Sequence, residues 1–504
     1  MFDLFKIVSS IKKTVGKKDI LITSVLLILF VLTRFVNLDK FPIFSDEGIY
    51  IHWAKIAWHD ATWRFISLTD GRQPLQTWAT IPFLKLFPNN ALFAGRLFSV
   101  VTGFFGLTGI FLLLNYLFDR KTAYIGSILY VVTPYFLFYD RLALIDSGVN
   151  AAFIWILFFS ILMVRTLRLD IAIIFGLIGG LSTLAKSSVK LFLALSVFAS
   201  VLELGRHRKN LFHFIVNFLF LFSIVAFLTV AVYNVQRLSP FLHFVSEKNN
   251  TFIMTLDEFK KNPFSVFFDN LIHVPIYVFW EMGFVLGVIG VIGWLFLYKK
   301  DKSLWLYMGT WVILPYIIIS LFTKVLYPRY IMFFGTLLTI FAAGFFSRIK
   351  NKMFLVLIVI IYIISIGYFD YTIVFDYKNI PFPSIDRGQY LEGWPAGWGM
   401  EDIVNFAREK SGEKPVVLLA EGNFGMAGDV LDVFIKKDDK IAIKGYWPLD
   451  KIQIEENIPL LKDNFVYIVF SHRDTFPQEW PIKLIKKYSK PGDKSAIYLY
   501  QLVK

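Results

Sequence analysis

The stretch Phe41-Pro-Ile-Phe-Ser-Asp46-Glu47-Gly-Ile-Tyr50 follows the first long apolar segment of the chain, residues 20–36. An apolar helix of this length can cross a hydrocarbon layer about 30 Å thick. The two adjacent carboxylates stand out because the chain otherwise keeps charge away from its apolar runs. The stretch therefore marks the exit of a first membrane helix and a candidate chemical site.

The composition of the whole chain predicts a polytopic membrane protein. Its 504 residues are 56% hydrophobic and only 18% charged, and the mean hydropathy is +0.59. Such values are too apolar for a soluble protein of this length. The absence of cysteine excludes disulfides, thiolate metal sites and cysteine nucleophiles.

The net charge of +14 is a topology signal and does not indicate nucleic acid. Residues 376–504 contain 18 Lys/Arg and 19 Asp/Glu, so the excess of positive charge lies in the apolar part. With the first segment, ten further apolar runs predict about eleven transmembrane helices. These runs are 92–117, 122–139, 147–164, 170–185, 188–204, 211–235, 272–298, 303–322, 330–347 and 353–374.

The distribution of basic residues predicts the orientation of these helices. Every second connection is basic, with 18 basic residues against six acidic ones, which identifies these connections as cytoplasmic. The basic residues are Lys6, Lys12, Lys13, Lys17, Lys18, Arg120, Lys121, Arg165, Arg168, Arg206, Arg208, Lys209, Lys299, Lys300, Lys302, Arg348, Lys350 and Lys352. We therefore expect a multi-pass protein of the cell membrane with a cytoplasmic N-terminus and an extracytoplasmic C-terminal domain.

Two parts of the predicted outer face have structure of their own. In the loop 38–91, apolar side chains recur at helical spacing over 49–57 and 75–83, which predicts two interfacial helices. Past residue 376, short apolar strands alternate with amphipathic helices, which is typical of a small α/β domain. We expect a transmembrane catalytic domain over 1–375 and a soluble α/β domain over 376–504 on the outer face.

Three carboxylates are candidate catalytic groups: Asp46, Glu47 and Asp146, the last at the outer end of a predicted span. A carboxylate at the membrane surface can accept a proton from a hydroxyl or amine, and a second one can orient it. The alternative is a solvated interfacial loop in which acidic residues have no chemical role.

Three cations lie at predicted outer ends, where the positive-inside tendency does not account for them: Arg72, Lys186 and Arg329. Charges at such positions are usually paired or functional. A lipid phosphate is a suitable partner, since arginine presents a fork and lysine a point charge to its oxygens. The alternative is that each side chain reaches toward outer lipid headgroups.

Several short motifs, taken in order, resemble the GT-C glycosyltransferases. The motifs are the acidic pair Asp46-Glu47, Arg72-Gln-Pro-Leu75, the turn from Arg141 to Asp146, Lys186 after the fifth span, and Arg329-Tyr330. The resemblance covers about residues 20–350 and is closest to the protein O-mannosyltransferase and aminoarabinose transferase branches. It implies the GT-C fold, and Arg141 and Tyr330 would support the site.

The resemblance also implies a reaction. The donor would be a polyprenyl-phosphate-linked sugar, and the acceptor a protein, lipid or glycan outside the membrane, with inversion at the anomeric carbon. Asp46 would be the base, and Glu47 and Asp146 would be supporting acids. Arg72 and Lys186 would hold the donor phosphate, with Arg329 as a further candidate. Membrane lipids are expected partners, and nucleic acid is not.

The sequence departs from the family pattern in one motif, where Gln73-Pro74-Leu75 replaces the usual Pro-Pro-Leu. Some members of the family bind a divalent metal through acidic residues and a histidine. His52 and His243 are the candidates here, although a single histidine is more often structural, and we predict no metal ligands.

Two other functions fit part of the sequence. A transporter or flippase for lipid-linked sugars would share the phosphate site, but it should carry charges near the middle of the membrane and show internal symmetry. A non-catalytic membrane scaffold would use the α/β tail to bind a partner. The charges at helix ends and the lack of internal duplication favour the enzyme.

Overall fold

The computed structural model describes residues 16–503, and up to residue 375 these are almost entirely helical. The predicted cytoplasmic residues Lys6, Lys12 and Lys13 lie outside the described part. The helices are α1 (Lys17–Phe35), α2 (Ser45–His59), α3 (Leu75–Leu86), α4 (Ala91–Leu117), α5 (Arg120–Val132), α6 (Pro134–Tyr139), α7 (Asp146–Thr166), α8 (Leu169–Thr183), α9 (Val189–Ser196), α10 (Leu211–Tyr233), α11 (Phe244–Phe252), α12 (Leu256–Lys261), α13 (Phe267–Glu281), α14 (Val285–Lys300), α15 (Lys302–Phe322), α16 (Met332–Phe346) and α17 (Lys352–Phe375).

All eleven predicted apolar segments are helical, but not all have the length of a span. Among the described residues, six helical segments are long and apolar enough to cross a membrane, or seven if α13 and α14 form one broken span. The six are Ala91–Leu117, Asp146–Thr166, Arg208–Leu238, Lys302–Phe322, Pro328–Phe346 and Lys352–Phe375. The predicted membrane fold is confirmed, while the count of eleven stays a prediction.

Two of the predicted spans are interrupted. The run 122–139 is divided between α5 and α6, which begins at Pro134, because proline lacks the N–H that would continue the helix. The run 272–298 is divided between α13 and α14, which meet at 111°. At that bend Gly283 and Phe284 have φ of 68° and 57°, a left-handed conformation that ends a right-handed helix.

The C-terminal part is the predicted α/β domain. Its helices are α18 (Ser384–Arg387), α19 (Met400–Ser411), α20 (Gly428–Phe434) and α21 (Lys451–Glu456). Its strands are β2 (Ala396–Gly397), β3 (Val416–Glu421), β4 (Ile441–Tyr446), β5 (Phe465–Phe470), β6 (Ile482–Ser489) and β7 (Ala496–Leu502), and β1 (Ile43–Phe44) precedes α2. The five-stranded sheet has the order β4-β3-β5-β7-β6, with β3 parallel to β4 and β5 and the other pairs antiparallel.

One strand of this sheet lacks the apolar alternation by which strands are predicted. β6 lies at the edge and reads Ile482-Lys-Leu-Ile-Lys-Lys-Tyr-Ser489, and most of its side chains are exposed. Lysines on an edge strand discourage pairing with another chain, and they also remove the apolar alternation by which strands are recognised.

The sheet packs on the membrane part through one of its two faces. Val416, Leu418 and Ala420 of β3 share a buried apolar cluster with α19 and α20, and this cluster continues into α2. Gly48 of α2 permits the contact, because a Cβ there would lie 2.6 Å from Cγ2 of Val430. β1 and β2 form a short antiparallel ribbon between the same parts of the chain. The C-terminal domain is therefore anchored beside the helix that carries Asp46.

Candidate active site

Asp46 lies in the first turn of α2, where the positive end of the helix dipole favours a carboxylate. Its Oδ1 is 3.0 Å from Nη2 of Arg72, and its Oδ2 is 3.1 Å from Nη2 of Arg329. Burial tends to raise the pKa of Asp46, but the charges of the two arginines outweigh burial and lower this pKa to about 2. Asp46 is thus an ionised carboxylate held between two guanidinium groups.

Arg72 is held in place from several sides. Its Nε is 2.9 Å from Asp70, which also receives a hydrogen bond of 2.8 Å from Lys248. The guanidinium lies over the rings of Tyr50 and Trp53, at 5.1 and 5.8 Å from their centroids. These contacts orient a cation whose side chain stays 18% exposed, so one part of it can still meet a ligand.

Arg329 is more deeply buried and comes just before α16, in the turn Pro328–Ile331. Its guanidinium carbon lies about 5 Å from the ring centroids of Phe44, Tyr327 and Tyr330. Its Nη2 also donates to the hydroxyl of Tyr330 at 3.4 Å.

Lys186 and Asp146 form the second half of the site. Lys186, in the turn after α8, donates to Oδ1 of Asp146 at the start of α7, over 2.7 Å. The same ammonium is 4.0 Å from the ring centroid of Tyr330. Because Arg329 contacts the ring and the hydroxyl of the same Tyr330, the pairs around Asp46 and Asp146 form one continuous group.

The departure from the family pattern lies directly beside this group. Gln73 donates from Nε2 to Oγ of Ser187 at 2.6 Å, and the N–H of Leu75 donates to the carbonyl of Leu184 at 3.0 Å. Both bonds tie the segment that follows Arg72 to the turn that carries Lys186. Gln73 thus supplies a link between the two cations that a proline could not make.

Two predicted site residues, Glu47 and Arg141, contact buried groups outside the pairs around Asp46 and Asp146. The fully buried Glu47 accepts hydrogen bonds from Nε and Nη2 of Arg96 at 2.8 and 2.9 Å, and from the N–H groups of Phe44 and Ala143. Arg141 donates to four carbonyls at the end of α1, over 2.7 to 3.1 Å. These contacts support the backbone around the site and do not open into it, so they favour positioning roles.

Three buried charged residues near the site were not predicted from the sequence: Arg34, Asp140 and Arg96. Arg34 and Asp140 form an ion pair of 3.2 Å, and Ser147 donates to Asp140 at 2.7 Å. The signal that could have revealed Arg34 and Arg96 is a single charge inside an apolar run, since such a charge needs a buried partner.

The two histidines considered for a metal have other partners. His52 lies 3.1 Å from Asp432 and 3.7 Å from Asp429 in the C-terminal domain, and His243 bonds to the carbonyl of Pro240. Within residues 16–503 no group of three or more His, Cys, Asp or Glu side chains is arranged to hold a metal ion. Neither histidine is therefore part of a metal-binding cluster within these residues.

An apolar groove of about 640 Å³ lies between the helices α3, α4, α7 and α8. Leu75 of α3, Thr102 of α4, Gly148 of α7 and Ser182 of α8 are among the residues that line it. Ala185, the residue before Lys186, is another. The mainly apolar groove therefore extends to the residue that precedes Lys186 in the chain.

Part of the chain matches a known protein family. Residues 72–233, about a third of the chain, match the model of a family described as dolichyl-phosphate-mannose-protein mannosyltransferase. The matched segment includes Arg72, Asp146 and Lys186. A search of curated proteins finds no significant match.

Solved structures share the fold. ArnT from Cupriavidus metallidurans aligns over 95% of this chain and 97% of its own, with 14% identity and a TM-score of 0.60 in the apo state. Its complex with undecaprenyl phosphate aligns over the same shares, with 13% identity and a TM-score of 0.62. The oligosaccharyltransferase AglB from Archaeoglobus fulgidus, in complex with an inhibitory peptide and a dolichol-phosphate, aligns over 90% of this chain and 69% of its own, with 13% identity and a TM-score of 0.53.

These findings confirm the predicted class: the fold is that of the GT-C glycosyltransferases. The chain is a multi-pass membrane protein of this fold. Together with the family match, the fold identifies it as a glycosyltransferase.

Proposed function

We propose that the protein transfers one sugar from a polyprenyl-phosphate carrier to an acceptor on the extracytoplasmic side of the membrane. The observation that carries this proposal is the continuous group of two carboxylates and three cations at the ends of separate helices. A phosphate-linked sugar requires cations at the phosphate and a carboxylate at the incoming nucleophile.

In this proposal, Arg72, Lys186 and Arg329 hold the donor phosphate, and the groove beside Lys186 takes the polyprenyl chain. Arginine and lysine side chains stabilise the negative charge that develops on a leaving phosphate. An apolar passage of this volume suits an isoprenoid chain, because its walls offer few hydrogen bonds.

Asp46 is the proposed base. It takes the proton of an acceptor hydroxyl while the oxygen attacks the anomeric carbon, and the bond from that carbon to the phosphate oxygen breaks. The polyprenyl phosphate leaves with the bonding electrons, and the configuration inverts.

The arginines that hold Asp46 suggest how donor binding would prepare this base. With both arginines in contact, a pKa of about 2 makes Asp46 a weak base at neutral pH. A donor phosphate competes for the same guanidinium groups. When an arginine turns toward the phosphate, the pKa of Asp46 rises toward its ordinary value and the carboxylate accepts a proton more readily.

The direct test uses the full-length protein in lipid nanodiscs. Undecaprenyl- and dolichyl-phosphate donors that carry labelled hexose or aminopentose are supplied, and release of the labelled sugar is followed. We expect wild-type protein to consume at least one donor and Asp46→Asn to lose this activity. Consumption of no donor, or full activity in Asp46→Asn, would contradict the proposal.

The proposed sidedness has its own test, since the chain contains no cysteine. Single cysteines are introduced at two exposed positions, Ile452→Cys in the C-terminal domain and Lys350→Cys in a predicted cytoplasmic connection. In intact cells, a membrane-impermeant maleimide should label only the first. If only Lys350→Cys were labelled, the protein would have the opposite orientation in the membrane.

A further inference from the structure

Three side chains at the edge of the C-terminal sheet form an exposed aromatic cluster: Trp394, Trp447 and His472. The ring centroid of His472 is 5.0 Å from that of Trp394 and 5.1 Å from that of Trp447. Trp394 and Trp447 are 50% and 66% exposed. Large aromatic side chains exposed side by side are uncommon on a soluble domain unless they bind something.

The cluster lies where α/β sheets usually bind ligands. β3, β4 and β5 are parallel, so their carboxyl ends share one edge of the sheet. Trp447 is the first residue after β4, and His472 is the second residue after β5. In the sheet, β4 lies on one side of β3 and β5 lies on the other. The chain thus changes direction at β3, and the crevice at such a switch point is a common ligand site.

Charged side chains hold the loops that carry His472 and Trp447. The buried Glu421, at the end of β3, accepts hydrogen bonds from the N–H of His472 at 2.7 Å and from Nε of Arg473 at 2.9 Å. Arg473 also pairs with the half-exposed Asp450 at 2.9 Å. Glu421 therefore fixes the backbone at His472, and the ion pair of Arg473 and Asp450 joins the loops that follow β5 and β4.

The backbone at Trp394 is held by a buried lysine and not by the indole donor of Trp394. The ammonium of the buried Lys490 donates to the carbonyls of Gly393 and Trp394 at 2.9 and 3.3 Å. Among residues 16–503, neither the indole N–H of Trp394 nor that of Trp447 has a hydrogen-bond partner. The cluster thus offers two preformed ring faces and two free donors.

From these features we propose that Trp394, Trp447 and His472 form a saccharide-binding site. The C–H groups on one face of a sugar ring pack on the negative face of an aromatic ring. The hydroxyl groups can meet the free indole donors and the charged pair Arg473–Asp450. A lipid headgroup is a poorer match, because the loops that carry Trp447 and His472 also carry the ion pair Arg473–Asp450, which offers polar contacts to hydroxyl groups.

The site is connected to Asp46 by the backbone. The N–H of Ser45 donates to the carbonyl of Pro395 at 2.9 Å, so the residue before Asp46 is bonded to the residue after Trp394. The loop after Glu421 also reaches α2, where a Cβ at Gly425 would lie 2.8 Å from Oγ of Ser45. A bound saccharide would thus be presented to the candidate active site as the acceptor. This last step rests on the proposed function, whereas the binding itself does not.

The test measures saccharide binding separately from donor turnover. Full-length protein in nanodiscs is applied to an oligosaccharide array of hexose, N-acetylhexosamine, deoxyhexose, pentose and uronate chains, and the strongest ligand is then titrated. The double variant Trp394→Ala/Trp447→Ala should lose at least tenfold in affinity and keep wild-type donor hydrolysis. The control is Ile452→Ala, another large exposed apolar residue of the same domain, 65% exposed, and it should bind like wild type.

A second measurement needs no variant. Hydroxyl-radical footprinting of the wild-type protein should show that the saccharide protects Trp394 and Trp447, while Ile452 stays equally oxidised. Absence of saccharide binding, or equal binding by the double variant, would overturn the site, as would unchanged oxidation of both tryptophans. Failure of the proposed function would instead appear as absence of donor consumption by the wild-type protein.

Discussion

Exchanging each of two neighbouring carboxylates for its amide should separate chemistry from stability. Asp46→Asn and Glu47→Gln remove one negative charge each from adjacent positions of α2. Adjacent residues of a helix point about 100° apart, and here Asp46 faces the candidate active site while Glu47 faces Arg96. We expect Asp46→Asn to lose activity and Glu47→Gln to lose stability.

The structure gives the size of each effect. Glu47 and Arg96 are fully buried, and removal of one charge from such a pair costs about 3–5 kcal/mol of stability. For Asp46, the lowering of the pKa from 3.8 to about 2 corresponds to at most ~2.5 kcal/mol. Its side chain is 22% exposed, so solvent screening reduces the expected loss of stability to about 1–2 kcal/mol.

The assay compares unfolding and turnover in the same preparations. Unfolding in detergent is followed by tryptophan fluorescence, and turnover by release of sugar from a labelled polyprenyl-phosphate donor. Loss of a general base should slow Asp46→Asn by about 10²–10⁴-fold. Glu401→Gln, an exposed position on α19, is the control and should change stability by no more than about 0.5 kcal/mol. Wild-type stability in Glu47→Gln, or a larger loss of stability in Asp46→Asn, would refute the reasoning.

Three further predictions concern the donor site and the domain contact. Arg72→Ala and Lys186→Ala should each raise the KM for the donor about 10–100-fold, since each removes a charge-assisted bond to phosphate; unchanged KM in both variants would exclude the phosphate site. Gly148→Phe should fill the apolar groove and slow turnover of long-chain donors more than that of short-chain ones, and an equal effect on both would argue against the groove as the lipid site. Burial opposes protonation of His52, but the carboxylate of Asp432, 3.1 Å away, outweighs burial and raises the pKa of His52 above 6.5. This stabilising contribution is present below about pH 6.5 and is lost as pH rises through the folded pKa, so His52→Gln should lower the unfolding temperature at about pH 5.5 and change it little at about pH 9; equal changes at both pH values would contradict this assignment.

The sequence alone was enough to predict the class of the protein and most of its secondary structure. The apolar runs and the alternation in the C-terminal strands are patterns of residues that are close in sequence. Helices and strands form from such local patterns, so these elements can be predicted from the sequence. The motifs around Asp46, Arg72 and Lys186 could likewise be recognised because each is short and continuous.

The partners of each charge could not be read from local patterns, since they come from distant segments. Adjacent carboxylates look equivalent in the sequence, yet packing turns Glu47 toward Arg96, 49 residues away, and Asp46 toward Arg329, 283 residues away. The same holds for the bend between α13 and α14 and for the pairing of β6. In both segments the local sequence pattern is ambiguous, and the contacts with distant residues decide the structure. Hydropathy therefore determines which segments are buried in the membrane or the protein core. The tight packing of those segments then determines which charged side chains form pairs.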